Sequence, residues 1–422
     1  MKKIILLIIF CLVGYISYAQ NITYEDYMKK VYENNLGYAA EQLNINIADA
    51  EINAAKVFHD PSLSIEYGYN QDNTIMMGRG ISAELSKTFS FGKRLVGIEL
   101  AKSTKDLSIA LLNDYLRNLR AEATIAYLDA LKNAELLKIE QDAFSNIKQL
   151  ADGDSLRFVK GKISETDAVQ SRLEAGVARN NMRQAENAAK NADLYLCTML
   201  GNSNNNFYQP IGSLNIIPQL YSLEELLRCA LDNRADLIAA LQNVNVANSA
   251  LKMIRTERHA DIDLSLGVNY NTRVRNEEAP APPYTGVTVG LSIPLKFSNF
   301  NKGTICAYQM RVHQVEQIYK QVELIVETEV NQNYQTYLST CVQAAEYDNE
   351  LLVKAKMVID GKVYAYGRGD CSLLEVLDAR RTYDDVRRGY VDILYNQAVA
   401  LVELQRSVGV SNVNFLDIKF RD

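Results

Sequence analysis

The sequence predicts a mainly α-helical chain with a smaller membrane β-barrel portion, built from one unit used twice. Three observations carry that prediction. Segments recur at an offset near 200 residues: ITYEDYMKKVYENN (22–35) with YSLEELLRCALDNR (221–234), HDPSLSIEYGYN (59–70) with HADIDLSLGVNYN (259–271), and RFVKGKISETDAVQSR (157–172) with AYGRGDCSLLEVLDAR (365–380). Two long stretches, Ile98 to Asp152 and Thr304 to Asp360, contain neither Gly nor Pro. Between the helical segments stand a few runs of strict apolar/polar alternation, the signature of strands with one apolar face.

In chain order, the first element is MKKIILLIIFCLVGYISYAQ. Lys2 and Lys3 precede an apolar run from Ile4 to Val13 that is too short to span a bilayer. Ser17-Tyr18-Ala19 has the small-x-small form of a cleavage site, so residues 1–19 read as a signal peptide, against a hydrophobic N-terminal helix of a soluble protein. Cys11 lacks the small residues that a lipoprotein signal requires, so no lipid anchor is expected. Losing Lys2 and Lys3 takes the 45 basic residues to 43, against 51 acidic ones. That balance has no nucleic-acid footprint. Five cysteines remain (Cys197, Cys229, Cys306, Cys341, Cys371), scattered and without CxxC spacing, and they read as small apolar residues.

The first repeat is placed at 20–212 and the second at 213–410, with a C-terminal tail at 411–422. Each opens on a helix whose start, Thr23 or Ser222, is followed by acidic residues suited to an N-terminus. Next comes a strand hairpin: strands at about 62–70 and 81–91, then 262–271 and 287–297, with polar tips at 71–80 and 272–286. The gap-free stretches of 55 and 57 residues follow, each long enough for a rod of roughly 80 Å. Such helices must pack along their length, and Leu107, Ala110, Leu111, Ala121, Ile125, Leu128 and Leu131 supply an apolar stripe.

The apolar strand faces admit two covers, helices or lipid. Strands of about 9–11 residues suit a tilted crossing of a bilayer. Their other face is small and polar (Ser62, Ser64, Glu66; Asp263, Ser265, Gly267, Asn269; Thr288, Gly290, Ser292), as a wet lumen requires. Tyr67, Tyr69, Phe89, Phe91, Tyr270 and Phe297 lie near strand ends, where an interfacial girdle belongs. Open edges are not tolerated in hydrocarbon. Four strands cannot enclose a pore, whereas three copies give twelve strands, so lipid cover implies a homotrimer. Pro294, which lacks a ladder donor, marks a bend where strand gives way to helix.

At this point the chain resembles the TolC family of outer-membrane exit ducts over essentially its whole mature length. The two segments that carry the resemblance share an aromatic, a Gly and an acidic residue: Phe158, Gly161 and Asp167 in the first, Tyr366, Gly369 and Glu375 in the second. They look like the family's two periplasmic tip turns. SFGKR (90–94) and GLSIPLKFSNFNKGTI (290–305) resemble the cobalt-zinc-cadmium subgroup. The resemblance implies a trimer with a twelve-stranded barrel and an α-helical periplasmic tunnel. It also implies a periplasmic adaptor and an inner-membrane pump of resistance-nodulation-division type as partners, and an outer-membrane location. The function implied is passive exit of small substrates, with metal cations preferred. Drug or bile-salt efflux, a secretion duct, or a periplasmic coiled-coil structural or adhesive protein are the alternatives.

The resemblance also assigns residues. Glu375 and Asp378, three apart on one helix face, fall where the family places its constricting acidic rings; the plain alternative is a solvated helix start. Asp167 and Tyr366 fall where an inter-helix bond holds the tip closed. A second lock uses an Arg at the position of Cys371, opposite a Thr that matches Thr166, and Cys371 cannot make that bond well; Arg368 is three residues away. Gly161 and Gly369 are the turn glycines, and with Lys160, Lys162 and Arg368 they form the adaptor contact. His59, His259 and His313 are the only histidines, and no acidic or thiol cluster joins them, so no metal site or cofactor is expected. No hydrolase, P-loop or dinucleotide motif is present, and no enzyme is expected.

Overall fold

The computed structural model describes residues 20–69, 78–201, 208–216, 218–275, 277–295 and 300–409. The signal peptide, the C-terminal tail, most of the first hairpin tip and Phe297 lie outside them. Helices dominate, and residues of both repeats enter each of two compact units. Among the described residues no helix is long and apolar enough to cross a membrane.

One unit comprises Gln42–Leu111 and Asp236–Val322. It holds a four-stranded antiparallel sheet of β2 (Ser62–Tyr69), β3 (Arg79–Phe89), β5 (Ile262–Asn271) and β6 (Tyr284–Ser292), in the order β2-β3-β5-β6. The register sorts residues by face. One row runs Leu63, Leu85, Leu266, Val289, and the next Ile65, Ala83, Val268, Val287. Between them, on the other face, lie Ser64, Glu84, Gly267 and Thr288. Both faces are open in the single chain, and the apolar rows are among the most exposed: Ile65 is 66% and Val289 72% accessible, beside exposed Ser64, Glu84 and Thr288 on the other face. Beside the sheet, Leu251 of α6 (Ala235–Thr256) packs with Ile305 and Val312 of α7 (Lys302–Glu346).

β6 begins at Tyr284 and ends at Ser292, earlier than the alternation alone suggests. Ile293 and Leu295 continue the pattern, but Pro294 has no N–H to extend the ladder. β3 is likewise shifted two residues towards the N-terminus.

The second unit comprises the residues through Glu41, Leu112–Ala235, and those from Glu323 on. Two short strands that carry no alternation signal, β1 (Gln20–Ile22) and β4 (Tyr208–Pro210), pair in parallel there. Thr23 caps α1 (Tyr24–Asn34), its hydroxyl accepting from the Asp26 amide at 3.3 Å. Ser222 stands at the N-cap of α5 (Leu223–Asn233) without a side-chain bond. Where the sequence predicts one helix before each hairpin, there are two. α1 breaks from α2 (Leu36–Ala55) at Asn35, and α5 from α6 at Arg234.

The first long helix, α3, runs unbroken over Lys93–Val159. It turns into α4 (Glu165–Met199). Its counterpart is interrupted: α7 passes through a π-helical segment, Tyr347–Leu351, into α8 (Leu352–Arg368), and α9 (Leu373–Val408) returns. The buried stripe of α3 is rich in Ala (Ala121, Ala123, Ala126, Ala130), which lets neighbouring helices approach closely, and Leu112 is buried where Leu111 is exposed.

Two buried tyrosines anchor the linkers in equivalent ways. Tyr127 donates to the carbonyls of Ile22 (3.1 Å) and Ile211 (2.7 Å). Tyr337 donates to the Gln219 carbonyl at 3.1 Å and accepts from its amide at 3.0 Å. The two helix breaks are also packed alike. α4 ends at Gly201 (φ +63°) against Asn34, and α9 at Gly409 (φ +74°) against Arg234, whose buried guanidinium bonds the Ser407 carbonyl and pairs with Glu329. A Cβ at 201 would fall on the Asn34 carbonyl oxygen, and one at 409 would lie 2.9 Å from the Arg234 Cα. Gly201→Ala and Gly409→Ala are each expected to destabilise the protein by about 1–3 kcal/mol, left-handed strain plus collision, read as a lower Tm; Gly68→Ala, an open site at negative φ, is the neutral control.

Candidate functional site

The two turns that carry the family resemblance are built identically. After α3, the Gly161 amide bonds the Phe158 carbonyl (2.8 Å) and the Lys162 amide bonds Arg157 (2.9 Å). After α8, the Gly369 amide bonds Tyr366 (3.1 Å) and the Asp370 amide bonds Ala365 (2.9 Å). This pattern needs a left-handed residue after the helix, and Gly161 (φ +67°) and Gly369 (φ +88°) supply it. Three residues on, Ser164 and Ser372 cap α4 and α9.

That symmetry assigns Asp167 and Glu375 the same local task. Each stands at the third helical position. The Ser164 hydroxyl donates to Asp167 (2.7 Å), and the Asp167 amide donates back to Ser164 (3.1 Å). Ser372 and Glu375 form a complete capping box. Glu375 also pairs with Lys362 of α8 at 2.5 Å. The Lys362 ammonium, with the Ser372 donors, holds the Glu375 carboxyl down at about 2. Asp378, one turn along, is exposed, and among the described residues no ion pair engages it.

The structure does not join Asp167 to Tyr366. The Tyr366 hydroxyl donates instead to Asp154 of α3, at 2.9 Å. Asp154 is 1% exposed, and the Arg157 guanidinium lies 3.9 Å from its Oδ1 and 4.9 Å from the Tyr366 ring centre. Burial, and then the bond to this carboxylate, push the Tyr366 phenol up to about 12. Asp154 is the residue that the sequence reading missed. It sits on the i−3 turn from Arg157 at the end of a long polar helix, where nothing in the pattern distinguishes it from solvated acids.

Lys160, Arg368, Gly161 and Gly369 all lie in the two exposed turns, and Arg368 pairs with Asp370 at 3.2 Å. The Cys371 thiol lies 3.5 Å from the Lys362 carbonyl. Thr166 bonds the Ser164 hydroxyl within its own helix start, at 2.8 Å. His59 and His259 are exposed, and among the described residues no group of three His, Cys, Asp or Glu side chains could hold a metal ion. The five described cysteines are free thiols.

Comparison with known proteins places this geometry. Residues 226–410 match the family described as Outer membrane efflux protein. The cobalt-zinc-cadmium resistance protein CzcC of Cupriavidus metallidurans is 23% identical over 377 residues, 89% of this chain and 86% of that protein. The outer membrane protein TolC of Vibrio cholerae is 20% identical, covering 85% of this chain and 84% of its own. Among solved structures, CusC superposes with a TM-score of 0.74 over 93% of this chain and 95% of CusC, at 18% identity. The Campylobacter jejuni CmeC outer membrane channel gives 0.77 over 91% and 85%, at 14%. The fold is the TolC-like duplicated fold, and the resemblance drawn from the two turns is borne out. The matched family is described as an outer membrane efflux protein and CmeC as an outer membrane channel, and on that ground the expectation of no catalytic function holds.

Tyr366→Phe is expected to leave a buried carboxylate oxygen without its donor, at a cost of about 1–3 kcal/mol to local stability. Hydrogen exchange along α8 reads this as faster amide exchange. Asp167→Asn, which touches only the cap, should leave exchange in α8 unchanged.

Proposed function

From a chain with the fold of the outer membrane efflux channels, and similar to them along nearly its whole length, we propose a homotrimeric outer-membrane exit duct of a tripartite pump that passes metal cations. The observation that carries the reading is the sheet of β2, β3, β5 and β6. Its apolar rows face solvent, its small polar rows face the other way, and β2 and β6 are free edges. So large an exposed apolar face needs a cover, and lipid accepts it only if the edges close. Pairing β6 of one copy with β2 of the next, three times, closes twelve strands. The signal peptide read at 1–19 supplies the route across the inner membrane, and Gly161, Gly369, Lys160 and Arg368 supply the contact for a periplasmic adaptor that links the duct to an inner-membrane pump.

Metal cations are preferred over drugs or polypeptides because the relative that aligns with 89% of this chain is named for cobalt, zinc and cadmium resistance. The purified protein should run as a heat-sensitive trimer and fractionate with the outer membrane. A strain lacking it should lose tolerance to graded zinc, cobalt or cadmium while keeping its tolerance to hydrophobic drugs and bile salts. A soluble monomer would exclude the duct; drug sensitivity alone would remove the metal preference.

The gate residues are then unequal. Threefold rings of Glu375 and Asp378 both add carboxylates, but Lys362 offsets the charge of Glu375. Asp378→Asn should therefore lower the cation selectivity of the reconstituted channel more than Glu375→Gln. A carboxyl depressed from 4.5 to about 2 keeps its full contribution above its ordinary value and loses it only as the pH falls through about 2. Selectivity due to Glu375 should thus be flat from about pH 8 to pH 5, measured as reversal potential in a salt gradient.

A further inference from the structure

We propose that the rim of the sheet where strands meet helices is a docking belt for anionic phospholipid headgroups, built once in each repeat. The proposal rests on the channel reading, since only a sheet closed within a membrane brings this rim to the headgroups.

The two strand-to-helix junctions are built alike. The chain leaves β3 through Phe91, Gly92 and Lys93 to enter α3, and it enters α7 through Phe300, Asn301 and Lys302. Gly92 (φ +80°) and Asn301 (φ +56°) both take left-handed backbone, and Phe300 (φ +45°) joins them, which is uncommon for so bulky a residue. Each turn sets a Phe that is more than half exposed two residues ahead of the Lys that starts a long helix. In each repeat an arginine then ties the chain entering the hairpin to the chain leaving it. The Arg94 guanidinium lies 4.1 Å from the centre of the exposed Phe58 ring and donates to the Lys56 carbonyl at 3.1 Å. Arg258 donates to the Phe300 carbonyl at 3.0 Å. Each bond occupies one donor of a group that has five, so an oriented guanidinium with donors to spare stands beside an exposed aromatic.

Positive charge is concentrated at this rim. Residues 55–61, 87–95, 255–261 and 300–303 contain seven basic residues and three acidic ones (Asp60, Glu257, Asp261), in a chain whose acids outnumber its bases by 51 to 45. The hairpin tips at the other end of the strands, 71–80 and 272–286, hold three of each. Asp261 is paired with Lys93 at 2.5 Å, whereas among the described residues no ion pair engages Lys87 or Lys302. Lys87 lies on the apolar face, in register with Leu264 and, beyond it, Leu291. A lysine so placed keeps its stem among apolar neighbours and its ammonium at the interface. Neither α3 nor α7 has an acid in its first turn, so the positive helix ends add to these cations.

Aromatic rings beside cations are what a headgroup layer accommodates. The excess of cations favours a net anionic headgroup over a zwitterionic one, since each Lys or Arg near an anionic surface adds to the attraction. With the long helices in the periplasm, the rim lies at the inner leaflet of the outer membrane, which consists of phospholipid.

Native mass spectrometry of the full-length trimer, titrated with phosphatidylglycerol or with phosphatidylcholine, tests the belt. Phosphatidylglycerol should bind the wild type at least about tenfold more tightly. Lys87→Gln combined with Lys302→Gln should reduce that preference to about twofold or less. Arg273→Gln combined with Arg275→Gln, at a hairpin tip, should leave it unchanged. Equal affinity of the wild type for the two lipids, or a preference that survives the Lys87 and Lys302 changes, would overturn the belt. So would displacement of phosphatidylglycerol by an equal concentration of inorganic phosphate, the mark of a site for the free ion. If the double lysine variant fails to assemble, the wild-type comparison decides alone. If the wild type forms no trimer in the outer membrane, the channel reading fails and the belt with it; a trimer that binds both lipids equally sinks the belt alone.

Discussion

Backbone hydrogen bonding at the edges of one small sheet governs the rest of this protein. Four strands turn leucine, isoleucine, valine and tyrosine outward and serine, threonine, asparagine and glycine to the other side. In water that arrangement exposes what a folding chain buries. In hydrocarbon it is favourable, provided that no N–H or C=O at β2 or β6 goes unbonded, since each such group costs several kcal/mol there. A single copy in hydrocarbon could not meet that condition, which is why the exit-duct reading carries a trimer with it.

Duplication explains why the helical unit needs few distinct devices. Tyr127 and Tyr337 hold the two linkers, Gly201 and Gly409 end the two returning helices, and the turns at Gly161 and Gly369 share one bonding scheme. Where the copies differ, the difference is chemical. Asn34 and Arg234 both back a left-handed glycine, yet only Arg234 brings a buried cation that must be paired, and Glu329 is its partner.

Much of this was legible in the sequence because it is periodic or local. Alternation located all four strands of the larger sheet, the absence of Gly and Pro located the long helices, and the two turn signatures sit at real turns. What stayed hidden depends on tertiary context. β1 and β4 are three-residue strands, too short for a period. The breaks at Asn35 and Arg234 carry no Pro, and each is packed beside a glycine distant in sequence, Gly201 or Gly409. The π segment has no residue signature at all. Among the gate candidates, Asp167 and Glu375 were recognisable as acids near a helix start, but which acid meets Tyr366 depends on how α3 and α8 lie side by side, and that selects Asp154.

The bond of Tyr366 to Asp154 shows how burial strengthens a polar contact between helices. Asp154 is buried, so the Tyr366 hydroxyl is worth more to it than a water-exposed donor would be. Arg157 lies at 3.9 Å, beyond hydrogen-bond range, and attracts the carboxylate without satisfying it. The contact between α3 and α8 is therefore defined at the cost of one incompletely bonded carboxylate. The same bond made to Asp167, in the exposed turn, would compete with water and with the Ser164 cap, and would hold α8 less firmly.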